Sequence, residues 1–187
     1  ISHIADPSQV TPYSVSMRFF GFFITVFEVM MIPLMPAFTN AFATGDLNWI
    51  KTTINKARKL AVVTSIFVIL SAPLIKLFIE CWLKGKVVVS WELIMTLAIY
   101  VCLVVQTSVY SKLFNGTGKL RSVTYLTVFN IIIYIPVAFV LGSVMKLGVT
   151  GIVIAKTAIM IPPIILMPIF ARNVLCDKQK ELSGMII

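Results

Sequence analysis

Charge is scarce in this chain. Of 187 residues only 12% are Asp, Glu, Lys or Arg, about half the share with which a soluble domain solvates its surface. Acids are scarcer still, 7 against 16 bases. An ordinary cytosolic enzyme, a disordered chain and a small secreted module are all excluded on that ground. Histidine occurs once, at His3, as an ordinary residue near a segment end. Cysteine occurs three times, at Cys81, Cys102 and Cys176, with no CxxC pair and no histidine beside any of them. Neither a disulfide framework nor a metal site is therefore expected. The chain holds no GxGxxG, no Walker loop, no HExxH and no GxSxG, so no dehydrogenase, kinase or hydrolase pattern is present. No cofactor is expected, and the chain is not expected to be an enzyme. No charged region precedes a short apolar stretch at the N-terminus, which argues against a secretory leader. The first residue is Ile1 in place of Met, as expected of a piece of a longer protein.

What is present is apolar length. Hydrophobic residues make up 59% of the chain and the mean hydropathy is +0.99. Five long apolar segments run from about Tyr13 to Phe38, Leu60 to Ile79, Trp91 to Leu113, Val123 to Val144 and Val149 to Phe170. Each has roughly 20 residues or more, enough to cross about 30 Å of hydrocarbon at 1.5 Å per residue. Only helices and closed barrels can span lipid, and the period-2 alternation of barrel strands is absent. The expected fold is an all-α integral membrane domain of five transmembrane helices, followed by a tail over 171–187.

The net charge of +9 would point to nucleic acid in a soluble protein. In a membrane protein it marks the loops that stay in the cytoplasm, and no nucleic-acid partner is expected. Residues 42–59 carry Lys51, Lys56, Arg58 and Lys59, residues 111–122 carry Lys112, Lys119 and Arg121, and the tail carries Arg172, Lys178 and Lys180. The alternate connectors have only Lys84, Lys86 and Lys146. The positive-inside bias puts the C-terminal tail in the cytoplasm and the N-terminal stretch outside. Within 42–59, Asp46 is expected to cap a short helix whose Trp49, Ile50 and Ile54 lie in the interface. Trp82 and Trp91 fall at membrane borders, as belt residues do. Lys76, Glu80 and Glu92 fall at the outer border, where solvated pairing is the default. Asn115-Gly116 reads as the tight turn between the third and fourth helices. Pro33, Pro36, Pro136, Pro162, Pro163 and Pro168 lie in or near spans, where they either bend a helix around a cavity or are simply tolerated.

Charges within the spans draw the most attention, because an ionisable group in lipid costs roughly 2.5–3.5 kcal/mol on insertion scales and normally faces a cavity or a partner. Arg18, Gly21, Thr25 and Glu28 fall within about 80° of one another at 100° per residue, one polar stripe with Ser14 beside its outer end. Lys156 is a third such charge. Arg18 and Lys156 are near enough to the outer border to snorkel to it, whereas Glu28 reads as mid-membrane. A further stripe on the fourth span has Thr124, Thr127, Asn130 and Tyr134; another on the third has Thr96, Tyr100 and Thr107. Such stripes serve equally as hydrogen-bonding glue between helices or as the lining of a hydrated path. A path lined by Arg and Lys suits an anionic cargo.

Tyr13, Arg18, the run PLMPAFTNAFATGDLNWIKTTINKARK, the segment NGTGKL at 115–120 and LGVTGIVIA at 147–155 together resemble the polysaccharide-specific (O-antigen) flippases of the MATE-like multidrug/oligosaccharidyl-lipid/polysaccharide superfamily. The resemblance covers essentially the whole chain. It implies the last five helices of a protein of about twelve, arranged as two six-helix lobes around a cationic cavity, so that this chain would be part of the second lobe. It also implies a bacterial inner-membrane protein that moves an undecaprenyl-diphosphate-linked oligosaccharide to the outer leaflet, with other polysaccharide-assembly proteins and membrane lipids as partners. On that reading Arg18, Lys156, Thr25, Asn130, Tyr134 and Tyr100 contact the substrate and Glu28 couples transport to an ion. The alternatives are a multidrug/cation antiporter of the same superfamily, a membrane glycan polymerase, or a structural membrane subunit.

Overall fold

A computed structural model describes residues 7–84, 88–144 and 147–184; His3, Lys86 and Lys146 lie outside them. Every regular element described is helical: α1 (Pro7–Met31), α2 (Leu34–Thr44), α3 (Leu47–Trp82), α4 (Trp91–Thr117), α5 (Arg121–Phe139), a π-helical turn (Val140–Val144), α6 (Gly148–Ile159) and α7 (Ile161–Gly184). Grouped by continuity, they form five stretches long and apolar enough to cross a membrane, Val10–Thr44, Leu47–Trp82, Trp91–Thr117, Arg121–Gly142 and Gly148–Gly184. The protein is thus an all-α membrane protein, as its hydropathy demands.

Two of the five stretches are broken, and prolines explain where. Pro33 lacks the N–H that would bond to Val29, so α1 stops at Met31 and the next turn is closed by shorter bonds, Ile32 N–H to the Val29 carbonyl and Met35 N–H to that of Ile32. Pro36 then sits in the first turn of α2, where no intrahelical donor is needed. Pro162 and Pro163 act the same way at the α6–α7 junction. The Met160 N–H turns back to the Thr157 carbonyl at 3.0 Å, and the two prolines fall in the first turn of α7. Pro73, Pro136 and Pro168 lie inside continuous helices.

The short interfacial helix expected in 42–59 is not a separate element. Asp46 does cap, its carboxylate accepting from the Trp49 N–H at 3.0 Å, but the helix it starts runs on for 36 residues to Trp82. No glycine or proline occurs between Leu47 and Ala72 to stop it. Ile50 and Ile54 are buried, as the first rungs of a stripe continued by Ala57, Ala61, Val68, Ala72, Ile75 and Ile79. The steps of that stripe are 4, 3, 4, 7, 4, 3 and 4 residues, the 3.5-residue period of a coiled-coil seam. The three alanines let α4 approach closely, and close approach is what binds helices in lipid, where burial of apolar surface gives little drive. Replacing Asp46 by Ala is expected to cost about 1 kcal/mol of stability, measurable by denaturant unfolding in detergent; Asp46→Asn should be nearly neutral.

At the centre is α4, packed by α1, α2, α3, α6 and α7. It has no outward polar face because it has almost no outward face. Neighbours α3 and α4 run antiparallel: the Cys102 thiol donates to the Ser65 carbonyl at 3.5 Å while Lys76 lies over the Trp91 ring at 5.2 Å. Aromatic edges join α1 to α3, Phe19 to Phe78 and Phe23 to Phe67. Trp82 and Trp91 are exposed at the helix ends, and Lys76 pairs with Glu80 one turn on.

The turn at the α4–α5 junction falls at Gly118, whose φ of +69° closes α4. Asn115-Gly116 is not the turn. Gly116 is inside the helix, buried against α2, where the Thr39 hydroxyl donates to its carbonyl at 2.7 Å. The tail expected after Phe170 is not a separate segment either, since α7 continues through it to Gly184. Leu182 there packs on Gly45 and Lys178 lies over the Phe42 ring at 5.5 Å. The α2–α3 junction and the end of α7 therefore meet at one end of the bundle, and the Thr39–Gly116 bond ties the end of α4 to them. These are the three stretches richest in Lys and Arg.

Candidate membrane cavity

A cavity of about 530 Å³ opens between α4, α5 and the α6–α7 junction. The proline break helps form it. Ile159, Met160 and Pro163 at the junction make one side, and Met167 extends it along α7. Asn130, Tyr134 and Thr127 of α5 make the second side, Thr107 and Ser111 of α4 the third, and Lys156 projects from α6. Most of α5 is exposed; Asn130, 8% exposed, is one of its two buried residues, with Leu126.

Lys156 is held by two features of its surroundings. It lies in the last turn of α6, where the free carbonyls of a helix end carry partial negative charge and favour a cation. Its ammonium also sits over the Tyr100 ring at 4.4 Å, a cation–π contact that strengthens where water is excluded. Tyr134 lines the same cavity as the ammonium. Tyr100, 8% exposed, is behind Lys156 rather than on the cavity wall.

The hydroxyls on the wall share a polarity. Thr107 donates to the Leu103 and Val104 carbonyls at 3.0 Å, Thr127 to that of Val123 at 2.9 Å and Ser111 to that of Thr107 at 3.3 Å. Their protons are spent on their own helices, so toward the cavity these oxygens accept hydrogen bonds. The site accordingly combines one cationic donor, Lys156, with a carboxamide, a phenol and several acceptors.

The stripe on α1 is elsewhere. Buried Ser16, Phe20, Phe27 and Met31 mark the face that α1 turns to the bundle. Arg18 and Thr25 are exposed on the opposite side, and nothing lies within 4 Å of a Cβ placed on Gly21. Arg18 is not brought to Lys156. The Thr25 hydroxyl bonds back to the Gly21 carbonyl at 3.0 Å. Glu28, at the edge of the stripe, is paired with Lys112 of α4 at 2.6 Å. That partner was not evident from the sequence, where Lys112 counts among the loop cations. The available signal was depth: Glu28 lies one turn before the end of α1 and Lys112 about one and a half turns before the end of α4, on helices that run the same way.

The class these features define is a multi-span membrane protein with a polar, singly cationic cavity at a broken helix. Comparison with protein families, with characterised proteins and with solved structures gives no match.

Proposed function

We propose that the chain is the C-terminal part of a flippase for a lipid-diphosphate-linked oligosaccharide, in the inner membrane of a bacterium, with its basic end in the cytoplasm. The observation that carries this reading is the Lys156 cavity. Lys156 supplies a cation for the diphosphate or for acidic sugars, and Asn130, Tyr134 and the acceptor hydroxyls of Thr107, Ser111 and Thr127 match the donors of a glycan. No bond is broken in such a process; the site lowers the barrier for a polar head to cross lipid. The α1 stripe adds support. An Arg exposed on the outside of a membrane bundle calls for a partner or an aqueous path, and a preceding lobe packed on α1 would enclose Arg18 and Thr25 together. Two lobes are also what alternating access requires. Glu28 has the coupling role, with Lys112 as the charge against which an incoming ion or proton competes. An antiporter for organic cations is disfavoured, because the one charged side chain on the cavity wall is a lysine and the Glu28 carboxylate is already bound to another.

The test is complementation of a flippase-null strain by the full-length gene. Lys156→Gln is expected to lower surface glycan roughly 10–100-fold, the worth of a charge-assisted hydrogen bond, with Asn130→Ala weaker in effect. Normal glycan from Lys156→Gln and Lys156→Ala, at normal membrane abundance, overturns the assignment.

A further inference from the structure

A second cavity, of about 490 Å³, is at the basic end of the bundle. Lys51 and Arg58 reach it from α3 and Arg172 and Gln179 from α7; each pair is seven residues apart, on one face across two turns. Tyr110 of α4 forms part of the floor. Lys51, Arg58 and Arg172 are all exposed, no Asp or Glu is on the wall, and none of the three is ion-paired among the described residues. The nearby cations Lys112 and Lys178 do have carboxylate partners. Three like charges from two helices thus converge on one groove with no carboxylate on its wall, Asp46 lining only the adjoining hollow that shares Lys51 and Gln179, an arrangement that favours entry of an anion. Two of the three are guanidinium groups, whose planar forks match phosphate oxygens. Ile54, Pro168 and Leu175 add an apolar wall beside them. Just beyond Arg58 and Lys59 on α3 the apolar run begins at Leu60, a position that suits a groove at headgroup depth.

We propose that this groove binds a phosphate group, presented either by an anionic phospholipid or by a soluble phosphate compound. Lys51, Arg58 and Arg172 hold the oxygens, and the apolar wall takes the first carbons of a lipid. The inference is independent of the flippase reading, since it uses neither Lys156 nor its cavity.

The experiment uses the purified full-length protein. One arm measures retention of phosphatidylglycerol by native mass spectrometry and the unfolding midpoint in phosphatidylcholine nanodiscs with and without phosphatidylglycerol. The other titrates glycerol phosphate and inorganic phosphate in neutral detergent. A variant with Lys51→Gln, Arg58→Gln and Arg172→Gln is expected to bind on the order of 100-fold more weakly, at about 5-fold per phosphate hydrogen bond lost. A control with Lys56→Gln, Lys59→Gln and Lys119→Gln removes the same charge from outside the groove and is expected to bind as the unaltered protein does. If the triple variant does not fold, single Arg58→Gln and Arg172→Gln proteins are each expected to lose about 5-fold. Selective loss in the lipid arm identifies a headgroup site, and selective loss in the soluble arm a free-phosphate site. Binding in neither arm, or equal loss in groove and control variants, overturns the proposal.

Discussion

Gly116→Ala is expected to lower the stability of the bundle by about 2–3 kcal/mol, and Gly116→Val to prevent its folding, because both overpack a contact made by backbone. A Cβ at this position would be 2.6 Å from the Met35 carbonyl oxygen and 3.0 Å from the Phe38 Cβ. Neither atom can rotate away as the tip of a long side chain would. The Thr39 hydroxyl clamps the same place through the Gly116 carbonyl, so α2 and α4 would have to separate. Unfolding in mixed detergent micelles measures the effect. Gly21→Ala is the control: it has open space around its Cβ and should be neutral or slightly stabilising, as helix propensity favours Ala. Equal behaviour of the two alanine variants would refute the role given to Gly116.

Lys112→Met should destabilise by about 1–3 kcal/mol, through the carboxylate it abandons rather than the attraction it removes. Glu28 keeps 35% of its side-chain exposure and Lys112 20%, so the figure is below that for a fully enclosed pair. The double variant Lys112→Met, Glu28→Leu is expected to regain most of the loss, since no charge is then stranded. If the double variant is as unstable as the sum of the singles, the pair is not coupled.

Much of the architecture was legible in the sequence because lipid leaves few options. Five apolar runs could only be helices, and alternation of Lys and Arg between connectors separated the two ends before any contact was known. The pieces that escaped detection were set by tertiary packing or by the absence of a break. Nothing local distinguishes an amphipathic helix lying at the interface from the first four turns of a longer rod; Ile50 and Ile54 fit both, and it is the alanines further along α3 that show one seam. Gly116 carries the Asn-Gly signature of a turn, yet close approach to α2 claims it, and Gly118 makes the turn. Asn130 and Tyr134 could be placed on one helix face, and with Lys156 from α6 they do line one cavity. Arg18 could be placed on the α1 stripe, but periodicity cannot say whether a stripe looks inward. The pair of Glu28 and Lys112 needed knowledge of which helices are neighbours.

The break at Met160 leaves α7 joined to α6 by a single non-helical residue, and α7 is a rod that contributes to both hollows. Near its start are Pro163 and Met167, and Arg172 and Gln179 follow about one and a half and three turns after Met167. A rigid bar pivoting at one point displaces its far end more than its near end. The far end of α7 is where Leu182 packs on Gly45, so that contact is what holds the bar, and Arg172 with it, in place.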